Sequence, residues 1–142
     1  MKYFLLLIVA TLTFSAASAQ NKKITFNDLP SEAINYIDNR SLANDITSVW
    51  KNTNDNIYTV IFNDGTEIEF NNNGEWKEAK INNEKFSVFL VPEKVLGYIQ
   101  ANYPLESVKK VSRNLDKKGY KTELSNKKEL NFDENFNFVK AR

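Results

Sequence analysis

A single offset of 62 positions, the distance from Pro30 to Pro92, aligns Lys22–Lys80 with Glu84–Arg142 without a gap. Identical pairs under that offset include Tyr36/Tyr98, Ile37/Ile99, Val49/Val111, Asn52/Asn114, Tyr58/Tyr120, Glu67/Glu129, Phe70/Phe132 and Asn73/Asn135. Ile34/Leu96, Ile46/Val108, Phe62/Leu124, Ile68/Leu130 and Trp76/Phe138 keep apolar character at the same steps. Chance similarity does not hold apolar positions in phase over 59 residues, so the chain reads as one structural unit used twice.

Each unit reads as a short helix followed by a meander of strands. Leu29-Pro30 and Val91-Pro92 open the helices, because proline is tolerated where a helix's first N–H groups lack partners. Ala33, Ile34 and Ile37, then Val95, Leu96 and Ile99, give each helix one apolar stripe, ending near Arg40 and near Asn102. Beyond the first helix, Ile46–Asn52, Ile57–Asn63, Thr66–Phe70 and Glu75–Ala79 read as strands between Asn, Asp and Gly turns. Asp64-Gly65 predicts a two-residue type I′ hairpin, and Gly74 marks the next turn. Their counterparts, Asn126-Lys127 and Phe136, lack glycine and predict looser hairpins in the second unit.

Strand alternation separates two faces. Tyr58, Val60, Phe62, Ile68 and Phe70, with Tyr120, Thr122, Leu124, Leu130 and Phe132, are expected to face the helices. Ile57, Thr59, Ile61, Glu67 and Glu69, with Gly119, Lys121, Glu123, Glu129 and Asn131, fall on the opposite side. The expected fold class is α+β: two tandem helix-plus-antiparallel-meander repeats, 22–80 and 84–142, in one sheet of about eight strands. Both helices are expected on one face, with the other face open.

Upstream of the repeats, Lys2, the apolar stretch Tyr3–Phe14 and Ala17-Ser18-Ala19 read as a secretory signal over residues 1–19. The expected remainder is a single exported domain over 20–142, without stable membrane insertion. The chain has no cysteine, which removes disulfides, thiolate metal sites and a lipid-modified cysteine anchor, and its fold must rest on an apolar core. Aromatic residues, 13% of the chain, supply much of that core.

Catalytic chemistry is poorly served by these residues. Histidine is absent, so histidine-activated nucleophiles and imidazole-bound metal are excluded. Glu67 and Glu69 stand roughly 6.5–7 Å apart on one strand face, but nothing around them suggests the burial that raises a carboxylate pKa. Asp64 and Glu67, or Asp133 and Glu134, lack the loop spacing that gathers oxygens around calcium. No glycine-rich phosphate loop occurs. The reading is therefore non-enzymatic, with no cofactor and no metal.

Charge is unevenly distributed between the units. Residues 22–80 carry 6 basic and 10 acidic side chains, 6 − 10 = −4, and residues 84–142 carry 12 and 8, 12 − 8 = +4. Lys109, Lys110, Arg113, Lys121, Lys127 and Lys128 form a candidate basic patch for steering an acidic partner. Nucleic acid is not the expected partner, since no aromatic-studded basic motif accompanies the lysines.

The motifs resemble those of the PepSY-like, beta-lactamase-inhibitor-like family. Leu29-Pro30, Ile46/Val49, Tyr58-Thr59-Val60, Asp64–Phe70 and Gly74–Trp76 carry the resemblance in the first unit. Val91-Pro92, Tyr98-Ile99, Asn102–Pro104, Val108/Val111, Gly119–Leu124 and Phe132-Asp133 carry it in the second. The resemblance implies small periplasmic or secreted proteins of Gram-negative bacteria with a fold like that of the beta-lactamase inhibitor protein. It also implies a role in binding a protein or peptide, as in inhibition of a peptidase or another envelope enzyme. The alternative is a structural or sensory envelope protein that binds a small ligand and inhibits nothing.

The partner-binding candidates are Trp50, Ile57, Thr59, Ile61, Glu67 and Glu69. If Val49 faces the core, Trp50 turns outward beside Ile57 and Ile61, whose counterparts are Ser112, Gly119 and Glu123. An apolar cluster with a carboxylate border has the composition of an interaction hot spot. The competing reading has Lys22–Phe26 or Phe86–Leu90 folded over these residues, or a bulge that reverses their facing.

Overall fold

The computed structural model describes residues 20–142, so the expected signal segment, 1–19, lies outside the described residues. The elements are β1 (Asn21–Ile24), α1 (Ser31–Asp38), β2 (Ile46–Asn52), β3 (Tyr58–Phe62), β4 (Glu67–Phe70) and β5 (Trp76–Lys80). They continue with α2 (Glu84–Leu90), α3 (Glu93–Asn102), β6 (Val108–Asn114), β7 (Gly119–Leu124), β8 (Glu129–Phe132) and β9 (Phe138–Ala141). The strands form one open antiparallel sheet in sequence order, nine strands among the described residues where about eight were expected.

Prolines set the starts of two helices. Pro30 and Pro92 occupy the N-cap positions of α1 and α3, one residue earlier than the sequence suggests, with ψ of 143° and 137° that leave the chain extended before the first turn. Ala33 and Ile37 of α1, and Val95 and Ile99 of α3, are buried one helical turn apart. Tyr103 ends α3, and Pro104 prevents its continuation.

Strand register turns the alternation into continuous rows. Ile24, Val49, Val60, Ile68, Ala79, Val111, Thr122, Leu130 and Ala141 stand opposite one another across the sheet. A parallel row on the same side carries Tyr58, Phe70 and Trp76, and further along Tyr120, Phe132 and Phe138. Helix side chains meet these rows. Tyr36 sits edge-on to Phe70 at 5.6 Å, Tyr98 edge-on to Phe132 at 5.6 Å, and Phe86 against Phe62 at 5.1 Å. Burying these large rings supplies much of the core's apolar contact.

The structure corrects several expectations. Residues 22–28 and 84–90, aligned by the 62-residue offset, differ in structure: β1 and a 3-10 turn in one case, helix α2 in the other. The reason is the availability of an edge. β1 pairs with the free side of β2, whereas the corresponding side of β6 already holds β5. Residues 84–90 therefore satisfy their backbone internally, started by the Asn83 side chain, which accepts from the Lys85 N–H at 2.9 Å.

The hairpins differ from expectation too. Only Gly65 adopts positive φ (85°), whereas type I′ requires it at both central residues. The Phe62 N–H donates to the Thr66 carbonyl and the Gly65 N–H to the Phe62 carbonyl, each at 2.9 Å, making a three-residue loop. At the position 62 residues on, Lys127, φ 70°, closes the same loop through Leu124 and Lys128, also at 2.9 Å. Phe136, φ 62°, likewise stands where Gly74, φ 83°, does. These hairpins are not looser, because side-chain acceptors hold them: Asn126 takes the Lys128 N–H, and Asp133 takes those of Asn135 and Asn137.

Candidate functional site

The residues singled out for binding come from β2, β3, β4 and the approach to β3. Val49 pairs with Val60 and is buried, so its neighbour Trp50 stands on the other side of the sheet, opposite Thr59, which in turn faces Glu69. Ile61 faces Glu67 in the adjacent row on that same side. The register shift in β2 lies between Ile46 and Ser48, ahead of Val49 and Trp50, and does not reverse them. Ile57 precedes β3, held by its carbonyl, which accepts the Asn52 N–H at 2.8 Å.

All six are half-buried, and two polar contacts position the indole. The Trp50 Nε1–H donates to Ser48 Oγ at 3.0 Å, and Lys23 Nζ lies 6.0 Å from the ring centroid. Lys22–Phe26 therefore does not fold across the cluster. β1 extends the sheet beside β2 and brings Lys23 to the rim. Phe86 turns to Phe62, on the opposite side from Trp50. Glu67 sits 4.0 Å from Lys80, while Glu69 has no ion-pair partner among the described residues.

The same outer rows continue across the sheet through Glu78, Ser112, Lys121 and Asn131, and through Lys80, Lys110, Glu123 and Glu129. Here apolar side chains give way to ion pairs: Lys110–Glu78 at 3.3 Å, Lys121–Glu129 at 3.4 Å and Lys127–Glu123 at 3.5 Å. Such partly exposed pairs contribute little stability, but they neutralise the surface locally.

The six basic residues do not make one surface. Lys110, Lys121 and Lys127 are each tied to a carboxylate. Lys128 lies over the Tyr103 ring at 5.6 Å, and Lys109 is exposed. Arg113 is on the side of Val111, its guanidinium 4.8 Å from the Trp76 ring centroid and its Nε–H donating to the Trp76 carbonyl. It packs in the core layer because β6 alternation leaves it no other side.

The side chains of Glu67 and Glu69 lie on an open sheet. Asp64 accepts the Thr66 N–H and hydroxyl, and Asp133 accepts from Asn135 and Asn137, so both carboxylates close turns. Hydrogen bonding, chiefly from the Asn137 N–H, holds the Asp133 carboxyl below its ordinary value of 3.8, with Lys94 adding to the shift. No three acidic residues converge as a metal site among the described residues, and no described helix is long and apolar enough to cross a membrane. An open depression of about 640 Å³ lies along β6 and β7, lined by Lys77, Ser112, Asn114, Lys121 and Asn131 among others.

Two features of this surface escaped the sequence reading. Lys23 beside Trp50 depends on a four-residue strand whose alternation is too short to recognise. Glu78 and Lys110 meet only because β5 pairs with β6, strands 28 residues apart in the chain at their nearest ends, a pairing that no local pattern announces.

Comparison with known proteins agrees with this architecture. A family model described as "Putative beta-lactamase-inhibitor-like, PepSY-like" matches residues 56–140. A "putative periplasmic protein" of the DUF2874 family from Bacteroides vulgatus is 32% identical, with a TM-score of 0.67 over 88% of this chain and 98% of that one. A second "putative periplasmic protein of unknown function" from Bacteroides vulgatus is 30% identical, with a TM-score of 0.69 over 87% and 99%. A "putative calcium-regulated periplasmic protein" from Bacteroides thetaiotaomicron is 28% identical, with a TM-score of 0.69 over 86% and 96%. No curated protein matches the chain. With more than half its length matched by the family model and its sheet shared with these relatives, the chain belongs to the PepSY-like, beta-lactamase-inhibitor-like family.

Proposed function

We propose that the chain is a periplasmic binding module, exported by residues 1–19, that recognises an envelope protein or peptide on the outer side of β2, β3 and β4. In this reading the chain is a duplicated unit. Its helices cover one face of the sheet, and the other face is free to meet a partner. The supporting observation is the register that sets Trp50, Thr59 and Glu69 in one row and Ile61 beside Glu67 in the next. Trp50 and Ile61 supply apolar contact, and Glu67 and Glu69 supply a polar border that selects a complementary charge. The family description suggests that engagement inhibits the partner. The relatives described as periplasmic support the compartment. Calcium regulation, named for one relative, is not part of this reading, because no acidic cluster of the required size converges among the described residues.

Affinity capture from envelope extract, followed by assay of the captured protein, tests both steps. A partner retained by the wild-type protein, lost with Trp50→Ala and slowed in its own activity supports a binding inhibitor. Capture that Trp50→Ala leaves unchanged removes the outer face from the function. A partner whose activity is unaffected limits the protein to non-inhibitory binding.

A further inference from the structure

The two edges of the sheet are differently protected. At the β1 edge, Lys22 lies opposite Lys51 in the row of Tyr58 and Phe70, so a charge points toward the core side. Inward-pointing charges discourage pairing at a sheet edge. At the β9 edge, the residues on that side are Phe138 and Ala141, both apolar and exposed, and no proline interrupts the strand.

β5 shows what such an edge looks like when occupied. β5 and β9 lie 62 positions apart and pair in the same way with β4 and β8, down to the register shift beside Phe70 and Phe132. β5 also carries β6 on its other side, with Glu78 opposite Ser112, Ala79 opposite Val111 and Lys80 opposite Lys110. Under that cover Trp76 is 9% exposed and Ala79 1%. Phe138, in the place of Trp76, is 38% exposed, and neighbouring Val139 is 58% exposed. Backbone polarity agrees. Arg142 exchanges both hydrogen bonds with Glu129 of β8, so alternation directs the Ala141 N–H and carbonyl to the free edge.

Charge at this edge specifies the occupant. In the internal joint, Glu78 is met by Lys110 at 3.3 Å. Lys140 stands where Glu78 does, and Arg142 where Lys80 does, so the signs at this edge favour acidic residues on an incoming strand. The free edges of a second copy are β1, with Lys22 and Lys23, and β9, with Lys140 and Arg142, and either brings the wrong charge. We infer that the β9 edge accepts an acidic, extended segment of a partner protein as an added antiparallel strand. A β-branched residue of that segment packs over Ala141, in the role Val111 has over Ala79, and flanking carboxylates meet Lys140 and Arg142.

A capped peptide of alternating glutamate and valine, titrated into the purified protein by calorimetry, tests this inference. The expected result is saturable binding at least ten times tighter than that of an alternating glutamine and valine peptide, which keeps the pattern and lacks the charge. Ala141→Pro, which removes an N–H aimed at the free edge, is expected to weaken binding at least tenfold. Lys140→Glu is expected to do the same and serves as the second variant should Ala141→Pro fail to unfold cooperatively. Trp50→Ala is expected to leave peptide affinity unchanged, which separates this edge from the outer face. Equal affinity for both peptides, or binding indifferent to both edge variants, overturns the inference. Concentration-dependent dimerisation abolished by Ala141→Pro also overturns it, because the edge would then serve a second copy.

Discussion

Replacing Thr122 with valine is expected to stabilise the protein. Thr122 lies in the central core row between Val111 and Leu130, is 0% exposed, and its hydroxyl finds no hydrogen-bond partner. Val60, which the 62-residue offset aligns with Thr122, is also 0% exposed and has no hydroxyl to satisfy. A buried polar group without a partner costs about 1–3 kcal/mol relative to its hydrated state. Valine has nearly the same shape as threonine, so the exchange removes that cost without enlarging or crowding the site. After allowance for small rearrangements, the expected gain is about 1–2 kcal/mol, or roughly 4 °C in Tm per kcal/mol for a domain of this size. Guanidinium titration of wild type, Thr122→Val and Val60→Thr measures it, with an unchanged slope required for comparison. Val60→Thr is expected to lose a similar amount. A neutral or destabilising Thr122→Val would refute the reasoning, because the hydroxyl must then have a partner in solution.

Other perturbations probe turns and charge. Gly74→Ala is expected to cost about 2 kcal/mol or more, because φ of 83° is strained for alanine and a Cβ would lie 2.8 Å from the Ala33 N and 2.9 Å from the Pro30 Cβ. Gly65→Ala, where the nearest obstruction is the Asn82 side-chain amide at 3.2 Å, is expected to cost about half that in the same denaturation assay. Lys127→Gly relieves φ of 70° and is expected to stabilise by about 0.5–1 kcal/mol, read as a higher denaturation midpoint. Burial raises the Tyr36 hydroxyl above its ordinary 10.0, so its stabilising contribution is complete below that pH and is lost as pH rises through the folded value. Asp28, held low chiefly by the Thr25 N–H, and Asp133 behave oppositely. Their contributions are present above 3.8 and disappear as acid carries the pH down through the folded values, which denaturation midpoints against pH will show.

Core positions were legible in the sequence because strand alternation and a turn's left-handed residue are local properties. Val49, Val60, Ile68, Val111 and Leu130 could be assigned to one side by counting alone, as could Trp50 to the other. What counting missed was competition for partners. Residues 22–28 and 84–90 occupy the same place under the offset, yet one pairs with β2 and the other becomes α2, because β5 takes the edge of β6. Hairpin geometry was misread for a related reason. Glycine marks a left-handed position, but Lys127 and Phe136 hold the same conformation when Asn126, Asp133 and the Tyr120 ring, 4.7 Å from Phe136, fix the surrounding turn. The outer surface was legible in the facing of Trp50, Thr59, Ile61, Glu67 and Glu69. Its border was not, since Lys23, Glu78 and Lys110 reach the outer face through pairings far apart in the chain.

Binding through the outer face is tested most directly by the affinity of the captured partner for Trp50→Ala, measured beside wild type and a Lys109→Ala control with cooperative unfolding checked for each. The expected result is a loss of about 5–30-fold for Trp50→Ala, equivalent to about 1–2 kcal/mol, with Lys109→Ala close to wild type. A folded Trp50→Ala protein that binds as tightly as wild type would contradict the proposed site.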